Sequence, residues 1–199
     1  MNRQKQKEYI KKKLIDAALD LFSRGDFQRI TVAEITQQAG VSKGTFFTHF
    51  SSKEEVLYSF DQHQIEWVEE LLSNLTHTSH PFPAIIADTL TKAATQLYTT
   101  RQLLMNLLQL STTSSHFREY LNITFSRLRI VLSSVIQKAL DRGVVTTKEP
   151  VDSITNKIVI LYFGVLVNWY LLQQDIPLDV LMKSTLSSYL ENTLIKPGG

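Results

Sequence analysis

A run of four residues, Ser42, Lys43, Gly44 and Thr45, has the side chains needed to contact a nucleic acid. The lysine can donate to guanine O6 or N7 or to a phosphate, and the threonine can offer its hydroxyl to a base or its methyl to thymine. The glycine has no side chain, so the backbone of a helix at this point can come close to a groove. We therefore predict that this run approaches DNA.

Two short helices joined by a tight turn are predicted to position this run within residues 31–50. Thr31 and Glu34 have the spacing of a capping box, which begins a helix by satisfying free backbone amides. Gly40 can take the left-handed conformation that ends that helix. Ser42 then caps a second helix, which is expected to reach about residue 50. This arrangement is the helix-turn-helix unit, whose second helix can enter the DNA major groove.

The same region resembles the DNA-binding region of the TetR (tetracycline repressor-like) family over residues 8–57. The resemblance rests on the sequence LIDAALDLFSRGDFQRITVAEITQQAGVSKGTFFTHFSSKEEVL. It includes the pair Gly25 and Phe27 between the first two helices, the AGVSKGT turn, and the Ser–Lys–Glu opening of the next helix. One position departs from the family: Phe47 stands where a tyrosine is common, so that hydroxyl cannot bond a phosphate.

The resemblance implies an all-α protein. A three-helix helix-turn-helix domain at residues 1–52 would precede a larger ligand-sensing and dimerisation domain at 53–199, whose linking helix covers about 53–75. Such a protein binds a palindromic operator in double-stranded DNA as a homodimer, most often as a repressor, and a small-molecule effector releases it. The last two long helices would pair with their symmetry mates.

Phosphate contacts fix the register of a protein on DNA, and base contacts supply sequence preference. Phe47 and His49 correspond to the family's residues at the groove edge, where the imidazole could donate to a phosphate. Lys53 is placed at the start of the next helix as a further phosphate ligand. The complete predicted set is Thr31, Ser42, Lys43, Gly44, Thr45, Phe47, Thr48, His49 and Lys53. Phe46 and Phe50 are assigned to the core.

Apolar periodicity predicts about nine helices and no strands. Besides those described, the predicted helices span about 4–24, 84–99, 101–109, 115–142, 151–174 and 178–194. Residues 76–83 are rich in turn formers, and their two histidines, His77 and His80, are interpreted as part of a loop instead of a metal site.

A largely apolar effector is expected, because the middle of the helix at 158–172 carries no charge. The aromatic, apolar and amide side chains that suit such a pocket are Tyr98, Met105, Leu108, Phe117, Phe125, Tyr162, Phe163, Asn168 and Trp169. Burial in an ordinary core is the alternative for each of them. The residues assigned to the dimer interface are Leu161, Val165, Leu186, Tyr189 and Leu190, for which burial within one chain is likewise the alternative.

The composition favours a cytoplasmic protein without cofactor or metal. The 199 residues carry a net charge of +2 and no cysteine, which excludes disulfides and thiolate chemistry. Positive charge is concentrated at the N-terminal end, where residues 1–13 carry six basic side chains and one acidic one, as a phosphate-binding surface requires. The N-terminus lacks the apolar run of a secretory signal. Residues 158–172 are too short for a membrane span, so a buried helix is expected.

Two alternatives remain for the function. An all-α enzyme would need a nucleophile with a base, paired carboxylates or a metal constellation, and the scattered histidines and missing GxSxG or HExxH motifs argue against it. A DNA-binding protein of the same fold that activates transcription or has a structural, nucleoid-associated role is harder to exclude. A footprint separates them, because a repressor protects one short palindrome and a structural protein protects many dispersed sites.

Overall fold

The computed structural model describes residues 3–73, 81–172 and 175–196, and these residues form nine α-helices. The prediction of an all-α fold is confirmed, since the described residues contain no strand beyond one isolated bridge between Thr146 and Ile195. The helices are α1 (Arg3–Arg24), α2 (Val32–Ala39), α3 (Lys43–His49), α4 (Lys53–Ser73), α5 (Phe82–Leu97), α6 (Arg101–Thr113), α7 (Ser115–Asp141), α8 (Val151–Leu171) and α9 (Leu178–Thr193).

The end of α6 is the clearest error in the predicted helix boundaries. This helix continues to Thr113 instead of ending at residue 109. The hydroxyls of Thr112 and Thr113 both donate to the carbonyl of Gln109, at 2.8 and 2.9 Å. Because these side chains bond to a carbonyl one turn earlier, they remain within the helix instead of breaking it. Residues 76–80 of the loop predicted at 76–83, with both His77 and His80, lie outside the described residues, as does the predicted end of the linking helix at residue 75. The end of that predicted loop is corrected, because α5 already begins at Phe82.

The chain divides into two compact units. Unit 1 contains residues 1–63 and 98–121, and unit 2 contains residues 64–97 and 122–199. The polypeptide therefore passes between the units three times, within α4, just before α6, and within α7. This division differs from the predicted boundary at residue 52, because α6 and the beginning of α7 belong with the N-terminal helices.

Unit 1 is built around the buried face of α1. Leu14, Ala18 and Phe22 recur every three to four residues on this face, and all three side chains are completely buried. They share one apolar core with residues of α2, α3 and α6, including Ile35, Phe46 and Leu103. The assignment of Phe46 and Phe50 to the core is confirmed.

Unit 2 has α9 packed against both α5 and α8. Met182, Leu186 and Leu190 form the buried stripe of α9, and none of them has exposed surface. An ion pair of 2.9 Å between Lys183 and Asp88 also joins α9 to α5. The apolar face of α9 is thus used within one chain.

This packing corrects part of the predicted dimer interface. Leu186 and Leu190 are wholly buried, and Val165 of α8 is 6% exposed, so none of these three can meet a second subunit. Their periodicity was right, but their partner is the interior of the same chain. Leu161 and Tyr189 are half-buried.

The opposite side of α8 leaves apolar side chains in solvent. Ile160 is 68% exposed and Leu171 is 64% exposed, and Gly164 and Asn168 lie between them on the same exposed face. Among the described residues, α8 is also the one helix that is long and apolar enough, by length and composition only, to cross a membrane. The helix α8 is therefore apolar on both its buried side and its exposed side, which differs from the full burial that was predicted.

Candidate nucleic-acid interface

The beginning and end of α2 are fixed by two local devices. Thr31 Oγ1 accepts from the amide of Glu34 at 3.2 Å, and the Glu34 carboxylate accepts from the amide of Thr31 at 2.7 Å, which is the predicted capping box. These bonds lower the pKa of the Glu34 carboxyl, because they stabilise its charged form. At the other end Gly40 has φ 65°, which lets its amide bond back to Gln37 and ends the helix.

The turn leads directly into α3, whose first residues are held by Ser42. The Ser42 hydroxyl oxygen accepts from the amide of Thr45 at 3.1 Å and lies 2.9 Å from the Thr45 hydroxyl. One turn later, the hydroxyl of Thr48 donates to the carbonyl of Gly44 at 2.9 Å. Each of these hydroxyls keeps acceptor capacity, and the Thr48 side chain is exposed.

The two faces of α3 differ sharply. Phe46 is completely buried, whereas its neighbour Phe47 is 58% exposed. Lys43 and Gly44 are also exposed, and a Cβ built on Gly44 would meet only Ser42 Oγ, at 3.7 Å. The backbone of α3 is therefore open to close approach at the point where the sequence places its glycine.

His49, at the end of α3, lies in a positive environment. Partial burial, followed by the charges of Lys7 and Lys11 on α1, lowers the pKa of its imidazole, and Glu8 opposes this effect. The N-terminal lysines of α1 therefore lie close to the last turn of α3. An anion bound between them would relieve the repulsion among the cationic groups.

We expect His49 to make the free protein less stable in acid. Because its folded-state pKa lies below the ordinary value of 6.5, the unfolded chain binds more protons as the pH falls through about 6.5. The free energy of unfolding should therefore decrease from pH 6.5 downward until the lowered pKa is passed. Urea unfolding without DNA, between pH 8 and 5, should show a shallower decrease for His49→Gln than for wild type. Parallel pH curves for the two proteins would contradict this prediction.

Lys53 is not free to act as the predicted phosphate ligand. Its ammonium donates to the carbonyls of Phe27, Gln28 and Ile30, at 2.5, 3.3 and 2.9 Å. Three acceptors match the three N–H donors of an ammonium group. The residue thus serves the loop between α1 and α2, and its contact with DNA is corrected to a structural role.

The start of α4 is held by two serines instead of a single capping box. Ser52 Oγ accepts from the amide of Glu55 at 3.4 Å, but the Glu55 carboxylate accepts from the amide and hydroxyl of Ser51 instead of returning to Ser52. These bonds lower the pKa of the Glu55 carboxyl. The helix still begins where it was predicted, at Lys53.

The side chains predicted to line an effector pocket divide between the two units. In unit 1, Phe117 belongs to the main core, where its ring centre lies 5.7 Å from that of Tyr58, so it is a core residue. In unit 2 the rings of Phe125 and Phe163 meet edge to face with centres 4.4 Å apart. Asn168 is exposed on the outer face of α8, which corrects its assignment to a pocket within this chain. The others are buried, as are Tyr98 and Tyr162, or half-buried, as are Met105, Leu108 and Trp169.

Sequence reasoning missed Asn106 of α6, which is 1% exposed. Its amide group donates to the carbonyls of Phe22 and Gly25, at 2.8 and 2.9 Å, and its oxygen accepts from the amide of Phe27 at 3.3 Å. The available signal was an amide side chain on the same helical face as the apolar Leu103 and Leu110. A polar residue at such a position is retained in a core only when it finds partners.

Comparison with known families matches residues 14–59 to the model described as bacterial regulatory proteins, tetR family. This segment contains the capping box, the Gly40 turn and all of α3. The sequence of this segment is therefore similar to the DNA-binding region of TetR-family regulators. Beyond the matched segment, the similarity to known proteins is one of fold, as a solved structure shows.

Two curated relatives and one solved structure are similar to this chain. It is 34% identical over 65 residues to an uncharacterized HTH-type transcriptional regulator, YerO, and 31% identical over 70 residues to the fatty acid metabolism regulator protein, both of Bacillus subtilis. The first match covers 33% of this chain and 22% of the relative, and the second covers 35% of each. The crystal structure of the transcriptional regulator FadR from Bacillus subtilis, in complex with stearoyl-CoA, matches with TM-score 0.71 and 20% identity over 90% of this chain and 97% of that one, which shows a shared fold.

Proposed function

We propose that this protein is a transcriptional regulator that binds a palindromic operator as a homodimer and releases it when a small effector binds. The observation that carries the proposal is the exposed start of α3, where Lys43 and Gly44 face solvent on a helix whose other side is anchored by Phe46. A helix fixed in this way can enter a major groove and present one lysine to base edges. The lysines beside His49 supply the phosphate contacts that hold its register.

A second copy of the chain is required by the size of α3. One helix of this length reads few base pairs, and two copies related by a twofold axis double the contacts. The apolar stripe of Ile160, Gly164 and Leu171 on α8 offers a surface for this pairing, because the glycine permits close approach between two helices. We assign the dimer contact to this stripe in place of the buried residues of α9.

The effector is proposed to be largely apolar, with a fatty acyl-CoA as the first compound to test. A Bacillus subtilis regulator points to this class, since its curated name is fatty acid metabolism regulator protein and the FadR structure from that organism holds stearoyl-CoA. The described side chains of unit 2 include the apolar ring pair of Phe125 and Phe163, which suits a hydrocarbon chain. A protein with these partners works in the cytoplasm.

Selection from a random DNA library tests the proposed function. We expect the wild-type protein to enrich one palindrome, and Lys43→Met to change the preferred base at one position in each half-site, because a lysine contact discriminates between bases by about 1–3 kcal/mol. The matched control is Lys138→Met, which removes an exposed lysine of α7 in unit 2 and should leave the selected sequence unchanged. Enrichment of many unrelated sites would instead favour the structural, nucleoid-associated alternative.

A further inference from the structure

The loop between α1 and α2, residues 25–30, is bound by a side chain from α4. Besides donating to three carbonyls of this loop, the Lys53 ammonium lies 4.5 Å from the centre of the Phe27 ring. A cation over an aromatic face is attracted by the ring's quadrupole. The long side chain therefore closes over the loop and contacts both its backbone and its aromatic residue.

A side chain of α6 forms hydrogen bonds with other backbone atoms of the same loop. Asn106 binds the carbonyl of Gly25 and the amide of Phe27, as well as the carbonyl of Phe22 at the end of α1. All three bonds are made by a side chain with almost no exposed surface, where an unpaired polar group is costly. Nearby, the hydroxyl of Thr100 donates to another carbonyl of α1 at 2.9 Å.

We propose that Lys53 and Asn106 are positioning residues for DNA binding, which act through the loop at 25–30 and do not touch DNA. This inference rests on the proposed function, because it concerns how α3 is presented to an operator. The loop ends at Ile30, directly before the residue that caps α2. Fixing the loop fixes the start of α2, and the short turn at Gly40 carries that position on to α3.

The hydrogen bonds of Lys53 and Asn106 also connect the loop to two helices that continue toward unit 2 along the chain. Lys53 begins α4, and Asn106 lies on α6, and both helices are followed or preceded by residues of unit 2. A change in either helix therefore reaches the loop through specific hydrogen bonds. We therefore expect Lys53 and Asn106 to affect the affinity for DNA without contacting it.

The dependence of operator affinity on salt distinguishes positioning from phosphate contact. Lys7→Met, which removes an exposed lysine beside His49, should reduce the slope of log affinity against log salt by about 0.9, as expected for one lost phosphate contact. Lys53→Met should keep the wild-type slope while weakening binding about tenfold at every salt concentration, because α3 is presented less accurately. A slope reduced by about 0.9 in Lys53→Met would overturn the proposal and restore the phosphate role.

Asn106→Leu provides the second arm, with hydrogen exchange of the Phe27 amide as its structural readout. We expect faster exchange at this amide, helical content near that of wild type, and operator affinity lowered about tenfold with an unchanged salt slope. Wild-type affinity in a folded Asn106→Leu protein would overturn the proposal, since Asn106 would then only stabilise the fold. If this variant does not fold, the salt slope of Lys53→Met decides the question. Failure of wild type to bind any palindrome would instead refute the proposed function.

Discussion

Gly44→Leu is expected to abolish operator binding while the protein remains folded. A Cβ at this position would meet only Ser42 Oγ, at 3.7 Å, and the residue is exposed, so the fold has room for a larger side chain. The DNA does not, because the added side chain would occupy the space into which the groove must fit. We expect operator affinity to fall by about 100-fold or more, which corresponds to about 2.7 kcal/mol. Fluorescence anisotropy with the selected operator measures the loss.

Gly44→Ala separates the effect of this position on protein stability from its effect on DNA binding. Alanine is preferred over glycine in a helix by about 0.5–1 kcal/mol, so this variant should unfold at a higher urea concentration and still bind DNA less tightly than wild type. Gln109→Leu is the matched control, because it adds a leucine at an exposed position of α6. Full operator affinity in Gly44→Leu would mean that α3 does not enter the groove by this face.

Ile160→Asp should convert the proposed dimer into a folded monomer that no longer binds its operator. The side chain is 68% exposed in one chain, so an aspartate costs little within the monomer. In a dimer that pairs the α8 stripes, the same carboxylate would be buried without a partner, and such a charge is strongly destabilising. Operator affinity should then fall by about 100-fold or more, since a monomer makes half of the contacts. Sedimentation velocity and anisotropy measure the two consequences.

Ile130→Asp is the control for this substitution, because Ile130 on α7 is 69% exposed and lies outside the α8 stripe. It should remain dimeric and bind the operator normally. A dimeric Ile160→Asp protein would place the interface elsewhere. Binding of wild type to lipid vesicles, with loss of binding in Ile160→Asp, would show instead that the exposed face of α8 meets a membrane.

The elements that the sequence predicted well are those determined by neighbouring residues. Thr31 with Glu34, and Ser42 with Thr45, lie within one helical turn of each other, so capping chemistry alone located the starts of α2 and α3. The same applies to the burial of Phe46 next to the exposure of Phe47, which follows from their directions on a short helix. Helix periodicity likewise located most boundaries in unit 2.

The predictions that were corrected depend on contacts between distant residues. Periodicity showed that Leu186 and Leu190 share an apolar face, but it does not state whether that face meets α5 or another subunit. A lysine at the start of a helix can serve a phosphate or a set of carbonyls, and the choice for Lys53 depends on a loop about 25 residues earlier. Asn106 binds an amide 79 residues away, and no local pattern contains that information.

The three passages of the chain between the units have a consequence for exchanging parts with relatives. A recombinant made by joining one regulator's first helices to another's remaining sequence would bring a foreign α6 against the loop at 25–30. The loop of the transplanted segment would then lack the Asn106 side chain that binds it in its own protein. Exchange of specificity between such regulators should therefore succeed when residues 98–121 travel together with residues 1–63, as two inserts from the same donor.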